Sequence, residues 1–96
     1  MIVVRDVFHA KYGKTNELVE LFQEGKRQFP NFVYTRFLTD ASGPFFTVIA
    51  EAEVESLGDW EQKLAQIFAN PEFPAWFGRM EDLVISGQRE FYNLTT

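Results

Sequence analysis

The single histidine of the sequence, His9, is the side chain whose ordinary pKa lies closest to neutral pH. It stands near the end of an alternating segment, residues 2–10, in which Val3, Arg5 and Val7 precede it on the same face. If that face lines a cavity, His9 acts as a general base or orients a substrate, so it is the candidate catalytic residue. The structural alternative is a histidine at a strand end that meets solvent or a neighbouring carboxylate.

Two arginines are candidates for binding a ligand. Arg5 lies four residues before His9 on the same strand face, and Arg36 lies on a later predicted strand, with Glu51 on the strand after it. A guanidinium suits two-pronged contacts with a carboxylate, which would serve to recognise an anion. Because an unpaired buried charge is costly, the favoured interpretation is a structural pair between an arginine and Glu51 in a dimer interface.

Aromatic residues at helical spacing are candidate walls of an apolar ligand cavity. Trp60 belongs to the second long predicted helix, and Trp76, Phe77 and Met80 belong to a short helix that follows it. The same spacing is typical of ordinary core residues, and that interpretation is favoured.

Tyr34 and Tyr92 are further candidate ligand contacts. Both lie on predicted strands and carry a hydroxyl group at the end of an apolar ring. The alternative is structural, because a tyrosine in a sheet more often places its hydroxyl at the rim.

The sequence indicates neither a metal site nor a cofactor. Glu51, Glu53 and Glu55 alternate along one predicted strand. Without a second histidine nearby, a solvated acidic edge is favoured over a metal site. There is no glycine-rich phosphate loop, no nucleophile elbow and no zinc-ligand spacing. The chain has no cysteine, so disulfides and thiolate ligands are excluded.

The elements that must position these residues follow from the hydrophobic periodicity. Strands are predicted at residues 2–10, 31–40, 45–53 and 83–94, and helices at residues 15–29, 56–69 and 71–80. On the second strand, Phe32, Tyr34, Arg36 and Leu38 are expected to share a face. The order β-α-β-β-α-β predicts a four-stranded antiparallel sheet with both long helices on one face, an α+β architecture.

The second face of such a sheet needs a cover that the helices cannot supply. Hydrophobic residues make up 46% of the chain and include 11 phenylalanines, more than one small two-layer core usually hides. The uncovered face mixes these apolar residues with arginine, histidine and glutamate. We therefore expect a homodimer in which two sheets pack face to face.

Length and charge limit the remaining possibilities. The 96 residues are expected to form one domain, residues 1–96. A net charge of −5 disfavours nucleic acid as a partner, because phosphate backbones would be repelled. No stretch approaches the length of a membrane helix, and charge at Arg5 interrupts any signal-peptide core. No membrane partner and a cytoplasmic location are therefore expected.

The pattern resembles the dimeric α/β-barrel superfamily of ferredoxin-like fold over nearly the whole chain. The resemblance rests on the segment from Phe8 to Lys14, on Asp59 with Trp60, and on residues 70–73 and 87–92. The nearest groups are the NIPSNAP-like proteins and the antibiotic-biosynthesis-monooxygenase-like proteins. Haem-degrading members carry an axial histidine after the second long helix, whereas residues 71–80 contain none here. The resemblance therefore does not extend to haem, and it implies no cofactor.

Three functions remain open at this point, because a shared fold does not imply a shared function. The first is a cofactor-independent enzyme, monooxygenase-like or isomerase-like, that acts on a small apolar molecule by positioning and desolvation. The second is a non-catalytic module that binds a ligand or a protein. The third is a structural domain of a larger assembly, in which strand edges extend the sheet. The small number of acid–base groups favours the second function, and the polar residues on an apolar sheet face favour the first.

Overall fold

A computed structural model describes residues 1–95, and its elements follow the predicted order. The strands are β1 (Ile2–Ala10), β2 (Arg36–Thr39), β3 (Thr47–Val54) and β4 (Val84–Asn93), and the helices are α1 (Thr15–Gln28), α2 (Leu57–Phe68) and α3 (Phe73–Glu81). The strands form one antiparallel sheet in the order β2-β3-β1-β4. This arrangement confirms the predicted ferredoxin-like α+β fold. Among residues 1–95, no helix has the length and apolar character needed to cross a membrane.

Apolar stripes explain where the helices form and how they face the sheet. On α1, the buried residues Leu18, Leu21 and Phe22 recur at helical spacing, so one side of the helix packs on the sheet. At the start of α2, the Ser56 hydroxyl accepts a hydrogen bond from the backbone N–H of Asp59 at 3.1 Å. This contact satisfies an N–H group that the first helical turn leaves without a partner.

The second strand differs most from its prediction. The strand begins at Arg36 rather than at residue 31. Residues 31–34 lie outside the ladder, after a turn in which the Phe32 N–H donates to the Phe29 carbonyl, and the Thr35 N–H donates to the Glu51 carbonyl at 2.8 Å. Tyr34 is buried on the helix side, whereas Arg36 pairs with Glu51 on the opposite side of the sheet. The prediction that Tyr34 and Arg36 share a face is therefore wrong, since alternation holds only within a regular strand.

The two faces of the sheet have different surroundings. The helix-covered face holds the core, in which Val4, Val48 and Ala50 are fully buried. The open face is the face turned away from the helices. Its residues are Val3, Arg5, Val7 and His9 of β1, Arg36 and Leu38 of β2, Ile49 and Glu51 of β3, and Gln88, Glu90 and Tyr92 of β4. The register of the strands thus determines whether each polar residue of the sheet lies on the helix-covered face or on the open face.

Candidate functional site

A cavity of about 280 Å³ lies between the helix-covered face and helices α2 and α3. Its walls are almost entirely aromatic and aliphatic, and Arg89 is the one charged residue in them. The wall residues are Phe8, Phe32, Val33, Tyr34, Leu64, Ile67, Phe68, Phe73, Trp76, Phe77, Met80 and Arg89. An apolar enclosure with few polar groups is the usual form of a site for a small molecule.

Helix α3 forms one wall of the cavity and is attached to α1 at two points. The Trp76 Nε1–H donates to the Leu21 carbonyl oxygen at 3.0 Å inside the core. At the surface, both terminal nitrogens of Arg79 donate to the Glu24 carboxylate at 2.9 Å. Gly25 permits the close approach, because a Cβ atom there would lie 3.1 Å from the rings of Phe32 and Trp76. The wall is therefore positioned by α1 rather than by the sheet.

The polar end of the cavity consists of Asp6, Tyr34 and Arg89, which we call the polar triad. Arg89 donates from Nε to Asp6 Oδ1 at 2.7 Å and from Nη2 to Asp6 Oδ2 at 3.0 Å. The Tyr34 hydroxyl also donates to Asp6 Oδ2. Tyr34 and Arg89 line the cavity, while Asp6 is only 2% exposed behind them. The carboxylate thus orients both residues that a ligand would meet.

The protonation of the polar triad follows from its burial. Burial raises the pKa of Tyr34 well above its ordinary value, and the negative charge of Asp6 raises it further. The hydrogen bond to Asp6 raises the pKa of Arg89. Tyr34 therefore keeps its proton and Arg89 its charge at neutral pH, and the charge of Arg89 is balanced by that of Asp6.

Trp60 packs against the Arg89 member of the polar triad but does not line the cavity. It is 3% exposed, and the Arg89 guanidinium carbon lies 4.8 Å from the centre of its ring. This distance is typical of a cation–π contact. Trp60 therefore helps to hold Arg89, which is a different role from the ligand contact predicted for it.

A second polar cluster lies on the open face, on the other side of the sheet. Glu51 is 3% exposed and accepts hydrogen bonds from Arg5 Nε at 2.8 Å and from Arg36 Nε at 2.5 Å. Burial alone would raise the pKa of Glu51, but the hydrogen bonds from Arg36 and Arg5 outweigh it and lower the pKa. Arg5 also lies 5.7 Å from the centre of the Tyr92 ring. The expectation that Glu51 belongs to a solvated acidic edge is therefore wrong.

The sequence-predicted site residues fall into two groups that the sheet separates. Tyr34, Trp76 and Phe77 line the cavity, and Trp60 is buried beside it. The remaining four are on the open face and do not line the cavity: His9, Arg5, Arg36 and Tyr92. His9 in particular cannot act on a molecule held in this cavity, so its catalytic role stays a prediction tied to the open face.

Two residues of the polar triad, Asp6 and Arg89, were not predicted as site residues. Asp6 follows Ile2 and Val4 and precedes Phe8 on an otherwise apolar strand face. An acidic residue at a core position needs a partner, which is the signal that could have found it. Among residues 1–95, no group of three or more histidine, cysteine or acidic side chains is arranged to hold a metal ion.

Comparison with known proteins places the fold in a defined group of structures. The sequence matches no protein-family model. It also matches no curated protein. A NIPSNAP domain protein from Burkholderia xenovorans, described as uncharacterized, superposes with a TM-score of 0.87 at 15% identity, covering 99% of this chain and 95% of the other. A NIPSNAP family protein from Agrobacterium tumefaciens gives a TM-score of 0.86 at 20% identity, covering 98% and 92%.

The chain has the fold of these NIPSNAP proteins. A putative antibiotic biosynthesis monooxygenase from Nitrosomonas europaea is also similar, with a TM-score of 0.71 at 14% identity over the full length of both chains. The resemblance stated from the sequence motifs is therefore confirmed as a resemblance of fold. At such identities the structures carry no information on activity, so the function must be argued from the cavity itself.

Proposed function

We propose that this protein binds a small, mainly apolar molecule in the cavity between its sheet and helices α2 and α3. The observation that carries the proposal is a partly open apolar pocket with polar side chains at one end. Tyr34 and Arg89 stand at that end and are held by a buried carboxylate. At the mouth of the pocket, Phe68 and Phe77 are 57% and 38% exposed, so a bound molecule would cover apolar surface that otherwise meets water.

The volume limits the size of the molecule. Ligand pockets typically range over about 300–1,000 Å³, and the present cavity of about 280 Å³ lies at the lower end. Flat aromatic walls such as Trp76 and Phe73 favour offset or edge-to-face contacts with another ring. The ligand we infer is therefore a flat molecule with about one or two fused rings.

Binding without conversion is the function that the acid–base groups support best. The only histidine is on the open face, and Asp6 is fully engaged by Arg89 and Tyr34. Cofactor-independent conversion, monooxygenase-like or isomerase-like, is the second candidate. It is favoured by one observation, the phenol of Tyr34 that connects the cavity to a buried carboxylate. Such a pair could pass a proton to or from a bound molecule.

Filling the cavity from one wall tests the binding proposal. Leu64 of α2 lines the cavity, and Leu57 of the same helix is 53% exposed outside it. Isothermal titration calorimetry with 2-acetylnaphthalene should detect binding to the wild type and to Leu57→Trp, and none to Leu64→Trp. Equal binding by both variants would show that the probe sits elsewhere. Absence of binding to the wild type, both of this ketone and of the matching amide, 2-naphthamide, would refute a cavity for small flat molecules.

Conversion is tested separately from binding. Wild type and Tyr34→Phe are incubated in air with a set of apolar phenols and ketones, and products are followed by mass spectrometry. Product formed by the wild type and lost in Tyr34→Phe would establish the catalytic candidate. Unchanged compounds in both samples, together with calorimetric binding, would establish the non-catalytic one.

We further propose that the single domain, residues 1–96, forms a cytoplasmic homodimer through the open face. The face carries half-exposed apolar residues, including Leu38 and Tyr92, around the buried Glu51. An isolated protomer would leave this mixed surface in water, whereas a second sheet packed on it would cover the apolar part. Light scattering of a dilute sample should return twice the mass of one chain. The mass of one folded chain would overturn the dimer and, with it, the predicted role of His9, Arg5 and Arg36.

A further inference from the structure

We propose that the cavity selects neutral ligands that present a hydrogen-bond acceptor beside a hydrogen-bond donor, such as a primary amide, a lactam or an enolised hydroxy-ketone, and discriminates against carboxylates. This inference rests on the proposed binding function and specifies the chemical class of its ligand. It follows from the charge balance of the polar triad and from the hydrogen-bonding capacity that the triad leaves unused.

The charge balance disfavours an anionic ligand. Arg89 is the one charged residue that lines the cavity, and its guanidinium is held on two nitrogens by the Asp6 carboxylate. A ligand carboxylate would therefore approach a site whose positive charge is already neutralised, with a buried negative charge directly behind it. In an otherwise apolar enclosure, such an uncompensated charge is costly. A lone arginine in a pocket would favour an anionic ligand, but the Asp6 carboxylate beside Arg89 favours a neutral one.

Arg89 retains one guanidinium nitrogen for a ligand. Its Nε and Nη2 donate to Asp6, and Nη1 donates no hydrogen bond to any residue in the part of the chain that the structure describes. The guanidinium carbon lies 4.8 Å from the centre of the Trp60 ring, which limits its movement. The Arg89 side chain is 40% exposed, so the N–H groups of Nη1 meet water in the free protein and are available to an acceptor on a ligand, such as a carbonyl oxygen.

Tyr34 contributes the opposite polarity. Its single hydroxyl proton is donated to Asp6 Oδ2, so the oxygen can only accept further hydrogen bonds; Arg89 beside it is one donor, and one lone pair is left for a ligand. A ligand group beside the carbonyl should therefore be a donor, an N–H or an O–H. Together, Arg89 and Tyr34 match an acceptor–donor pair on one neutral molecule.

A series of three probes of equal shape tests this inference. The probes are 2-naphthamide (acceptor and donor), 2-acetylnaphthalene (acceptor only) and 2-naphthoate (anion), titrated into the wild-type protein by calorimetry at pH 7.5. We expect 2-naphthamide to bind about 5-fold more tightly than 2-acetylnaphthalene, the worth of about one net hydrogen bond. We expect 2-naphthoate to bind at least about 10-fold more weakly than 2-acetylnaphthalene, because its charge must be buried without a partner.

The outcomes separate the failure of this inference from failure of the proposed function. Binding of 2-naphthoate as tight as that of 2-acetylnaphthalene would overturn the charge argument. An amide no tighter than the ketone would overturn the role of Tyr34. If none of the three probes bound, the cavity itself would not be a ligand site for this class, and the proposed function would fall together with the inference.

Two variants test the origin of the selectivity. Asp6→Asn leaves the Arg89 charge uncompensated, so the preference for the ketone over 2-naphthoate should shrink by about 10-fold or reverse. In Tyr34→Phe, the advantage of the amide over the ketone should disappear. Tyr12→Phe is the matched control, because Tyr12 is 84% exposed and does not line the cavity. The same ratio of ketone to 2-naphthoate affinity in Asp6→Asn as in the wild type would contradict the charge balance.

Discussion

Removal of Arg89 should destabilise the protein more than removal of Asp6, although the two residues form one ion pair. In Arg89→Met, the Asp6 carboxylate remains only 2% exposed and keeps the Tyr34 hydroxyl as its sole hydrogen-bond donor among the described residues. Breaking a buried pair from one side costs about 3–5 kcal/mol. Because 40% of the Arg89 side chain is exposed and water can reach the vacated space, we expect the lower end, about 3 kcal/mol.

The reverse substitution is milder for a physical reason that the structure supplies. In Asp6→Asn, the asparagine oxygen can still accept the Tyr34 hydroxyl proton, and the half-exposed Arg89 can turn toward water. The loss is then close to that of a charged hydrogen bond, about 1.5 kcal/mol. In the double variant, no charge is left buried without a partner. It should therefore be more stable than Arg89→Met alone.

Urea unfolding followed by far-ultraviolet circular dichroism measures these differences. All variants are compared at one protein concentration, because the association of subunits would shift the apparent stability. With a slope of about 1–1.5 kcal/mol per molar urea for a chain of this size, the midpoint should fall by about 2–3 M in Arg89→Met and by about 1 M in Asp6→Asn. An Asp6→Asn variant as unstable as Arg89→Met would refute the reasoning. A double variant, Asp6→Asn with Arg89→Met, that is less stable than Arg89→Met alone would also refute it.

Four further predictions concern other parts of the molecule. The pKa of Glu51 is lowered in the folded protein. The stability that the Glu51 carboxylate contributes is therefore present above the ordinary pKa of 4.5 and is lost as the pH falls through the lowered pKa. The difference in unfolding free energy between pH 6 and pH 3.5 should be smaller in Glu51→Gln than in the wild type. Trp76→Phe removes a buried hydrogen bond of 3.0 Å and part of an indole ring, and should cost about 2 kcal/mol in urea unfolding. Arg79→Met breaks an ion pair whose side chains are 57% and 40% exposed, and should lower the urea midpoint by less than Trp76→Phe does; a larger loss than in Trp76→Phe would contradict the ranking of the two attachments of α3. If the proposed dimer forms through the open face, Val7→Asp places a charge in the middle of that face and should give the mass of one chain in light scattering, whereas Gln23→Asp on the exposed side of α1 should give the same mass as the wild type.

The order of the elements could be predicted because each segment carries its own periodicity. The alternating residues of β1 and β3 and the stripes of α1 and α2 fix strand or helix locally, and all elements except β2 lie within two residues of their predicted bounds. On β3, the face that carries Val48 and Ala50 is the buried one, as expected for the apolar side of an alternating strand. β2 was predicted too long because residues 31–35 are as apolar as a strand, yet they pack on the helices as an irregular segment.

The candidate site could be predicted only in part. Tyr34, Trp76 and Phe77 were singled out as aromatic residues and do line the cavity. His9 and Arg5 were assigned to the same site, but a strand with apolar residues on both faces does not show which face the helices cover. The sheet therefore separates two groups that the sequence pattern could not tell apart.

The sequence by itself determined the type and order of the helices and strands, and with them a four-stranded sheet that helices cover on one face, because these features depend on spacing over a few residues. Only the tertiary structure decided that Asp6 meets Arg89, 83 residues away, and Tyr34, 28 residues away. That meeting depends on the register in which β1 and β4 pair, with Asp6 opposite Arg89, and on the departure of Tyr34 from the ladder. Register is set by the packing of the whole sheet against its helices, so it cannot be predicted from any local pattern in the chain.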